Sequence, residues 1–345
     1  MSADGAGGGV PPAAPSALAA ISVRGLEKRY GDIEAVRGID FDVAPGETFG
    51  FLGPNGAGKS TTISMLCTLV APSGGAATVA GFDVDRERDA VRRNIGLVFQ
   101  DTTLDTYLTA EQNLRLHAEL YGVPRDAIAA RMAQVLEMVG LWERRKSAVA
   151  TFSGGMKRRL EIARGLMHSP RVLFLDEPTV GLDPQTRSSI WAYIRELKQA
   201  EDITIFLTTH YMDEAEYCDR IAIMDKGLIV VLDTPDALKA SVGRDRVSLH
   251  TDDDDAAIAA LAEHFGITAT IVEGAVTFGV SKGENFVPRL FAELGVPIRA
   301  VSVSRPTLDD VFMAYTGTTI RDREEDTSKH RNRVMMQMMH GAGRR

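Results

Sequence analysis

Gly53-Pro54-Asn55-Gly56-Ala57-Gly58-Lys59-Ser60 fits the pattern G-x-x-x-x-G-K-[ST]. Glycines at these positions let the backbone turn where a Cβ would block it, so that successive N–H groups aim at phosphate oxygens. An apolar strand is expected over Thr48–Leu52 before the loop, and a helical pattern (Thr61, Thr62, Ile63, Met65, Leu66) follows it. That helix adds N-terminal orphan donors and the positive end of its dipole. Lys59 is then the mobile cation for β- and γ-phosphates, and Ser60 can ligate Mg²⁺. A second cluster is Arg171–Pro178, where four apolar residues run into Asp176-Glu177. A carboxylate at the end of a buried strand beside a phosphate loop can hold Mg²⁺, usually through water. Glu177 is placed to orient and polarise an attacking water as general base. Gln100 follows the apolar run Ile95–Phe99, and His210 follows Ile203–Thr209. The Gln100 amide can reach the metal or the water, and His210 can hydrogen-bond the γ-phosphate. Alone, each has a ready structural reading; together they fall at the carboxyl ends of parallel strands, where ligands bind.

The elements that must position these groups change character along the chain. Short alternating runs in Ile21–Val43 predict antiparallel strands. From Thr48 onward, buried strands alternate with helices, which predicts a parallel α/β sheet with strands at Thr48–Leu52, Ile95–Phe99, Val172–Leu175, Ile203–Thr208 and Ile221–Met224. A helical stretch is expected over roughly Thr109–Ala148, with Ile128, Met132, Val135, Leu136 and Val139 forming one core-facing stripe. Past Ser241, the segments Thr268–Val272, Ala275–Val280 and Ile298–Val303 read as strands, with helices around Asp254–Phe265 and Phe286–Leu294. They predict a small α+β domain. The expected division is a disordered leader over 1–20, a catalytic region over 21–240 with a helical part at about 101–160, an accessory domain over 241–320 and a disordered basic tail over 321–345.

Composition narrows the function further. The 345 residues are 44% hydrophobic and 25% charged, the balance of a folded globular chain, with room for two domains. A net charge of −8 argues against a dedicated nucleic-acid binder. No run approaches the roughly 18 apolar residues that span a bilayer, so a membrane role is expected to come through a partner. The first 23 residues contain no Lys or Arg and so lack the basic region of a secretory signal. Cys67 and Cys218 match no metal-ligand spacing and suit a reducing compartment. Lys329–Arg345 is basic and free of acids; contact with anionic lipid or an acidic partner is a secondary reading beside a plain solvated tail.

Phe152-Ser153-Gly154-Gly155-Met156-Lys157-Arg158-Arg159-Leu160 opens another helix. Ser153 is a good N-cap. Three basic residues then stand in or near the first turn, where the dipole prefers acids, so either they lie on a solvated face or the site meets phosphate. Here the chain resembles the ATP-binding cassette family. Its Leu-Ser-Gly-Gly-Gln signature is matched by Phe152–Met156, with Phe for Leu and Met for Gln but Ser153-Gly154-Gly155 intact. The resemblance covers about Val23–Leu232. It takes in the phosphate loop, Gln100, Asp176-Glu177, the D-loop Gly181-Leu182-Asp183, the switch His210, and Tyr30 at the place of the aromatic that stacks on adenine.

The resemblance implies a P-loop α/β fold with an antiparallel β subdomain and a helical subdomain. ATP would be bound by Tyr30, Gly53 to Thr61, Ser153, Gly154, Gly155 and Asp183. Mg²⁺ would sit on Ser60, Gln100 and Asp176, and catalysis would fall to Glu177, His210 and Gln100. It further implies a head-to-tail homodimer with ATP between the phosphate loop of one copy and Ser153-Gly154-Gly155 of the other. Closing and reopening that dimer would drive a separate membrane permease at the cytoplasmic face, docked near Gln100–Tyr121. Gln100–Asp105 with Leu108–Leu114 and Leu120-Tyr121-Gly122, together with Pro306–Phe312, resemble the daunorubicin/doxorubicin-resistance group of drug and lipid exporters. The second of these matches is also compatible with an amphipathic helix packing on its own domain. A soluble, non-transport cassette ATPase is the alternative. Against it, there is one phosphate loop, and the span from Gly58 to Ser153 is too short for coiled-coil arms. A GTPase is disfavoured because the guanine-reading Asn-Lys-x-Asp is absent, and a non-hydrolysing cassette because Glu177 and His210 are both present.

Overall fold

The computed structural model describes residues 19–272 and 274–317. Most of the expected leader and all of the expected basic tail lie outside them. The described chain forms two units, which exchange segments: one takes the residues up to Glu47 and Ser60–Leu207, the other Thr48–Lys59 and everything from Thr208.

In the first unit the strand Ile21–Tyr30 pairs antiparallel with both Ile33–Val43 and Gly74–Val79, and the last also pairs with Phe82–Asp83. Ile21 stands opposite Val43 on one side and Val79 on the other, so the apolar positions of three strands share one buried face. The same unit holds a parallel pair in which Ile95–Val98 lies in register with Val172–Leu175. Leu173, Phe174 and Leu175, like Ile205, Phe206 and Leu207 of the strand Thr204–Thr209, are wholly buried. Such unbroken apolar runs are what a parallel sheet covered on both faces demands.

The expected helical stretch exists as two helices, Ala110–Leu120 and Arg125–Met138. They are separated where Gly122 takes a left-handed φ of +70° and Pro124 withdraws a backbone donor. Thr109 and Gln112 form a capping box at the start of the first helix. The stripe Ile128, Met132, Val135, Leu136 and Val139 is buried throughout.

In the second unit Thr48–Leu52 runs parallel to Arg220–Asp225, which pairs antiparallel with Leu228–Asp233. Beyond the helix Pro235–Val242 comes an antiparallel sheet with the spatial order Thr270–Val272, Ala275–Val280, Asp245–Thr251, Ile298–Ser304. Helices Asp254–Phe265 and Gly283–Glu293 contribute Ala257, Leu261 and Leu290 to a core with Val247, Leu249, Val276 and Phe278. The strand Asp245–Thr251 was not among the expected ones, although it is flanked on both sides. Only Val247 and Leu249 declare it, with Arg246, Ser248 and His250 on the opposite face. The final helix, Leu308–Thr316, buries Leu308, Val311 and Phe312 but does not pack on that sheet's core. It turns back onto Pro235–Val242 and Leu228–Asp233.

Candidate active site

The fully buried strand Thr48–Leu52 delivers Gly53 to the start of the loop, where its N–H donates to the Thr209 carbonyl at 3.4 Å. A Cβ on Gly53 would stand 2.3 Å from the Met224 carbonyl oxygen, so only glycine lets the loop leave the strand here. Gly56 and Gly58 turn through φ of +83° and +109°. Lys59 opens the helix Lys59–Leu66 and is only 4% exposed. Its Nζ donates to the carbonyls of Gly53 (2.7 Å) and Pro54 (3.1 Å), so the loop's own oxygens hold the ammonium in the cradle. Pro54 and Ala57 are buried, Asn55 and Gly56 exposed, and Gly227 N–H closes on the Ala57 carbonyl at 2.9 Å.

In the first unit Ser60 Oγ donates to Asp176 Oδ1 at 3.2 Å. Residues from opposite ends of the motif set thus meet as a hydroxyl and a carboxylate, hard oxygen donors that suit a small divalent cation. Thr61, half-buried, follows on the same helix. Glu177 is 6% exposed and has a left-handed φ of +46°. A non-glycine residue held there is strained, a feature that concentrates at functional sites.

Gln100 is exposed and stands two residues beyond the strand end at Val98, in a bend rather than closing the strand as expected. Arg158 holds the backbone just before it, and Glu161 the backbone after it. From the helix Gly154–Leu166 its guanidinium donates to the carbonyls of Phe99, Asp176 (3.1 Å) and Pro178 (2.6 Å) and to Glu161 Oε2 (3.1 Å). Glu161 in turn accepts from Thr103 N–H at 2.8 Å.

The solvated-face reading of the basic run does not fit this. Arg158 is buried and Arg159 is bound to the Val139 carbonyl and Tyr193. Arg158 supplies the multidentate donor that carbonyls at the ends of two strands need. Arg158 was visible in the sequence only as a break in the charge preference of a helix start. Replacing Arg158 with methionine should destabilise the protein by about 3–5 kcal/mol, because it leaves the buried Glu161 without its cation and takes the guanidinium away from three carbonyls. In urea unfolding, Arg158→Met with Glu161→Leu should recover part of that loss, and a double variant no better than the single one would refute the pairing.

The signature serine behaves as expected: Ser153 caps its helix, accepting from Met156 N–H at 3.3 Å. A Cβ on Gly155 would lie 2.4 Å from Thr186 Cγ2, so this glycine is required by the neighbouring helix Pro184–Ala200. Asp183 caps that helix, accepting from Thr186 N–H (3.0 Å) and Oγ1 (2.6 Å). These bonds hold its carboxyl below the usual carboxylate range. Ser153, Gly154 and Asp183 are exposed.

In the second unit His210 follows its strand directly, its ring 4.0 Å from that of Tyr211. Thr209 braces this turn, donating to Glu214 Oε2 at 2.7 Å and accepting from Tyr211 N–H at 2.9 Å. Tyr30 is 47% exposed at the end of its strand, with Lys28 Nζ 5.0 Å from its ring centroid. The structure therefore joins Ser60 to Asp176, the signature to Asp183 through Thr186, and the Gln100 segment to Asp176 through Arg158; Tyr30 touches none of them in the contacts described.

Residues 36–180 match the family model for ABC transporters, and residues 234–316 match that of the C-terminal domain of DrrA1-3-like ATP-binding proteins. The chain is 39% identical over 311 residues to the linearmycin resistance ATP-binding protein LnrL of Bacillus subtilis, covering 88% of this chain and 100% of that protein. It belongs to the ATP-binding cassette family.

This cassette is also 38% identical over 323 residues to the daunorubicin/doxorubicin resistance ATP-binding protein DrrA of Streptomyces peucetius, covering 91% of this chain and 98% of that one. Among solved structures it resembles cbiO1 of Clostridium perfringens, part of the ABC transporter complex cbiONQ, with TM-score 0.61 and 32% identity over 64% of this chain and 91% of the other. A dimeric cassette in a post-hydrolysis state with ADP and Pi superposes with TM-score 0.56 and 26% identity, covering 62% and 98% of the two chains. The cassette is an ATP-binding subunit whose ATPase activity is coupled to transport. No helix among its described residues is long and apolar enough to cross a membrane.

Proposed function

We propose that this cassette powers export of a hydrophobic drug, antibiotic or lipid through a separate membrane permease, working as a homodimer at the cytoplasmic face. The similarity to LnrL and DrrA, which runs through the C-terminal domain as well as the catalytic region, supports the exporter reading. The dimeric solved relative supports the paired arrangement. Exposure of Ser153 and Gly154 suits a signature that meets the nucleotide of a second copy.

The observation that carries the catalytic reading is the contact of Ser60 with Asp176. These two, with the Gln100 amide, would hold Mg²⁺, which when bound neutralises charge on the β- and γ-phosphate oxygens. Lys59 leaves the Gly53 and Pro54 carbonyls for the same phosphates, and the loop glycines present their N–H groups to them. Tyr30, half-exposed, would stack its ring on the base. Glu177, fixed by its buried and strained backbone, accepts the proton of the attacking water, and His210 hydrogen-bonds the γ-phosphate.

Asp176→Asn tests the metal assignment. It keeps the shape and the Ser60 partner but removes the charge. Nucleotide affinity of the wild type should rise at least tenfold on adding Mg²⁺, and that of Asp176→Asn should rise much less. An undiminished Mg²⁺ response in a nucleotide titration would remove Asp176 from the site.

A further inference from the structure

The second unit contains a cavity of about 500 Å³, lined by the helix Pro235–Val242, the segment Gly243–Asp245, the turn Ser281-Lys282 and Arg305-Pro306. Four cations line it, Lys239, Arg244, Lys282 and Arg305, against two carboxylates, Asp236 and Asp245. The carboxylates pair with only some of these cations. Asp245 accepts from Gly283 N–H at 2.7 Å, and the Asp236 side chain is 95% exposed at the rim beside Lys239. Lys239 also pairs with Glu216 at 2.8 Å, and Arg305 with Glu284 at 2.7 Å. Arg244 and Lys282 have neither an ion pair nor a side-chain hydrogen bond among the described residues.

Lys282 breaks two local rules at once. It has a left-handed φ of +57° without being glycine, and it is a cation at the N-cap of Gly283–Glu293, where the helix dipole opposes positive charge. Lys282 makes no capping hydrogen bond of its own, and the Gly283 N–H at the helix start is met by the Asp245 carboxylate instead. A bound anion would meet Arg244 and Lys282, the two lining cations that no described carboxylate pairs. The volume falls in the range of small-molecule sites, and the guanidinium forks with ammonium groups suit phosphate oxygens.

We propose that this cavity binds a small phosphorylated molecule, a phosphate or pyrophosphate group carrying an organic body up to about mononucleotide size. Its contacts on Pro235–Val242 and on the turn before Gly283–Glu293 would tie the C-terminal sheet to the helix on which Leu308–Thr316 also packs.

The test is calorimetric titration of the full chain with pyrophosphate and with AMP, the phosphate loop having first been saturated with a non-hydrolysable ATP analogue and Mg²⁺. One further equivalent should bind, more weakly at higher salt, and at least tenfold more weakly in Arg244→Ser and in Lys282→Gly. Lys282→Gly removes the charge while relieving the positive φ, so its melting temperature should equal or exceed that of the wild type. Hydrogen exchange should slow at 236–245 and 281–284 on binding. Absence of a further site at millimolar probe, or affinity unchanged in both variants, overturns the proposal.

Discussion

Glu177→Gln is expected to bind ATP as the wild type does and to hydrolyse it about 10²–10⁴-fold more slowly, the usual contribution of a positioned general base. Glutamine has nearly the same shape, so the buried position and the left-handed backbone at φ +46° are asked to hold nothing new. What is lost is the proton acceptor beside Asp176. Because the γ-phosphate then persists, the ATP-bound pair should accumulate instead of reopening. Size-exclusion chromatography with Mg²⁺ and ATP should therefore show a stable dimer in the variant and mostly monomer in the wild type. Turnover at the wild-type rate would take the role of base away from Glu177, whereas slow turnover with no dimer would keep the base and remove the two-copy site.

The second large effect is expected at Lys59. Lys59→Ala removes the ammonium that Gly53 and Pro54 carbonyls hold in the cradle, and with it the cation that meets the β- and γ-phosphates. Losing one such electrostatic contact typically costs about 10²–10³ in rate, and here ATP binding should fail as well. The two carbonyls also lose their donor, so a small drop in melting temperature is expected. The size of that drop separates the effects: an inactive variant that melts only slightly below the wild type has lost chemistry, not fold. Normal ATPase activity in Lys59→Ala would sink the assignment of the loop.

The phosphate loop was legible because its demands are local. Gly56 and Gly58 need positive φ, a property of the residue itself, and the strand before them is apolar throughout. Ser153 was legible as a cap for the same reason, since its acceptor and the Met156 N–H lie one turn apart. The strand Asp245–Thr251 was not, because its two alternate apolar residues are a short pattern beside the four to eight alternating positions that mark a half-buried strand. Its place between two other strands comes from pairing across distant segments. Gly155 shows the limit from the other side: the sequence marks it only as part of a signature, while its packing against Thr186 Cγ2 appears only in the folded chain.

Residue types and their order by themselves determined the nucleotide chemistry, because cradle, cation, metal ligand and base each require a particular side chain at a short, fixed spacing. Only the tertiary structure decided how those groups are held. Arg158 serves three carbonyls from the two strand ends that carry Gln100 and Asp176, and Leu308–Thr316 leaves its neighbouring sheet for Pro235–Val242. Both arrangements answer a need that exists only after folding. Carbonyls at strand ends lose water and must find a donor, and an apolar helix face must find whichever surface the rest of the chain leaves uncovered.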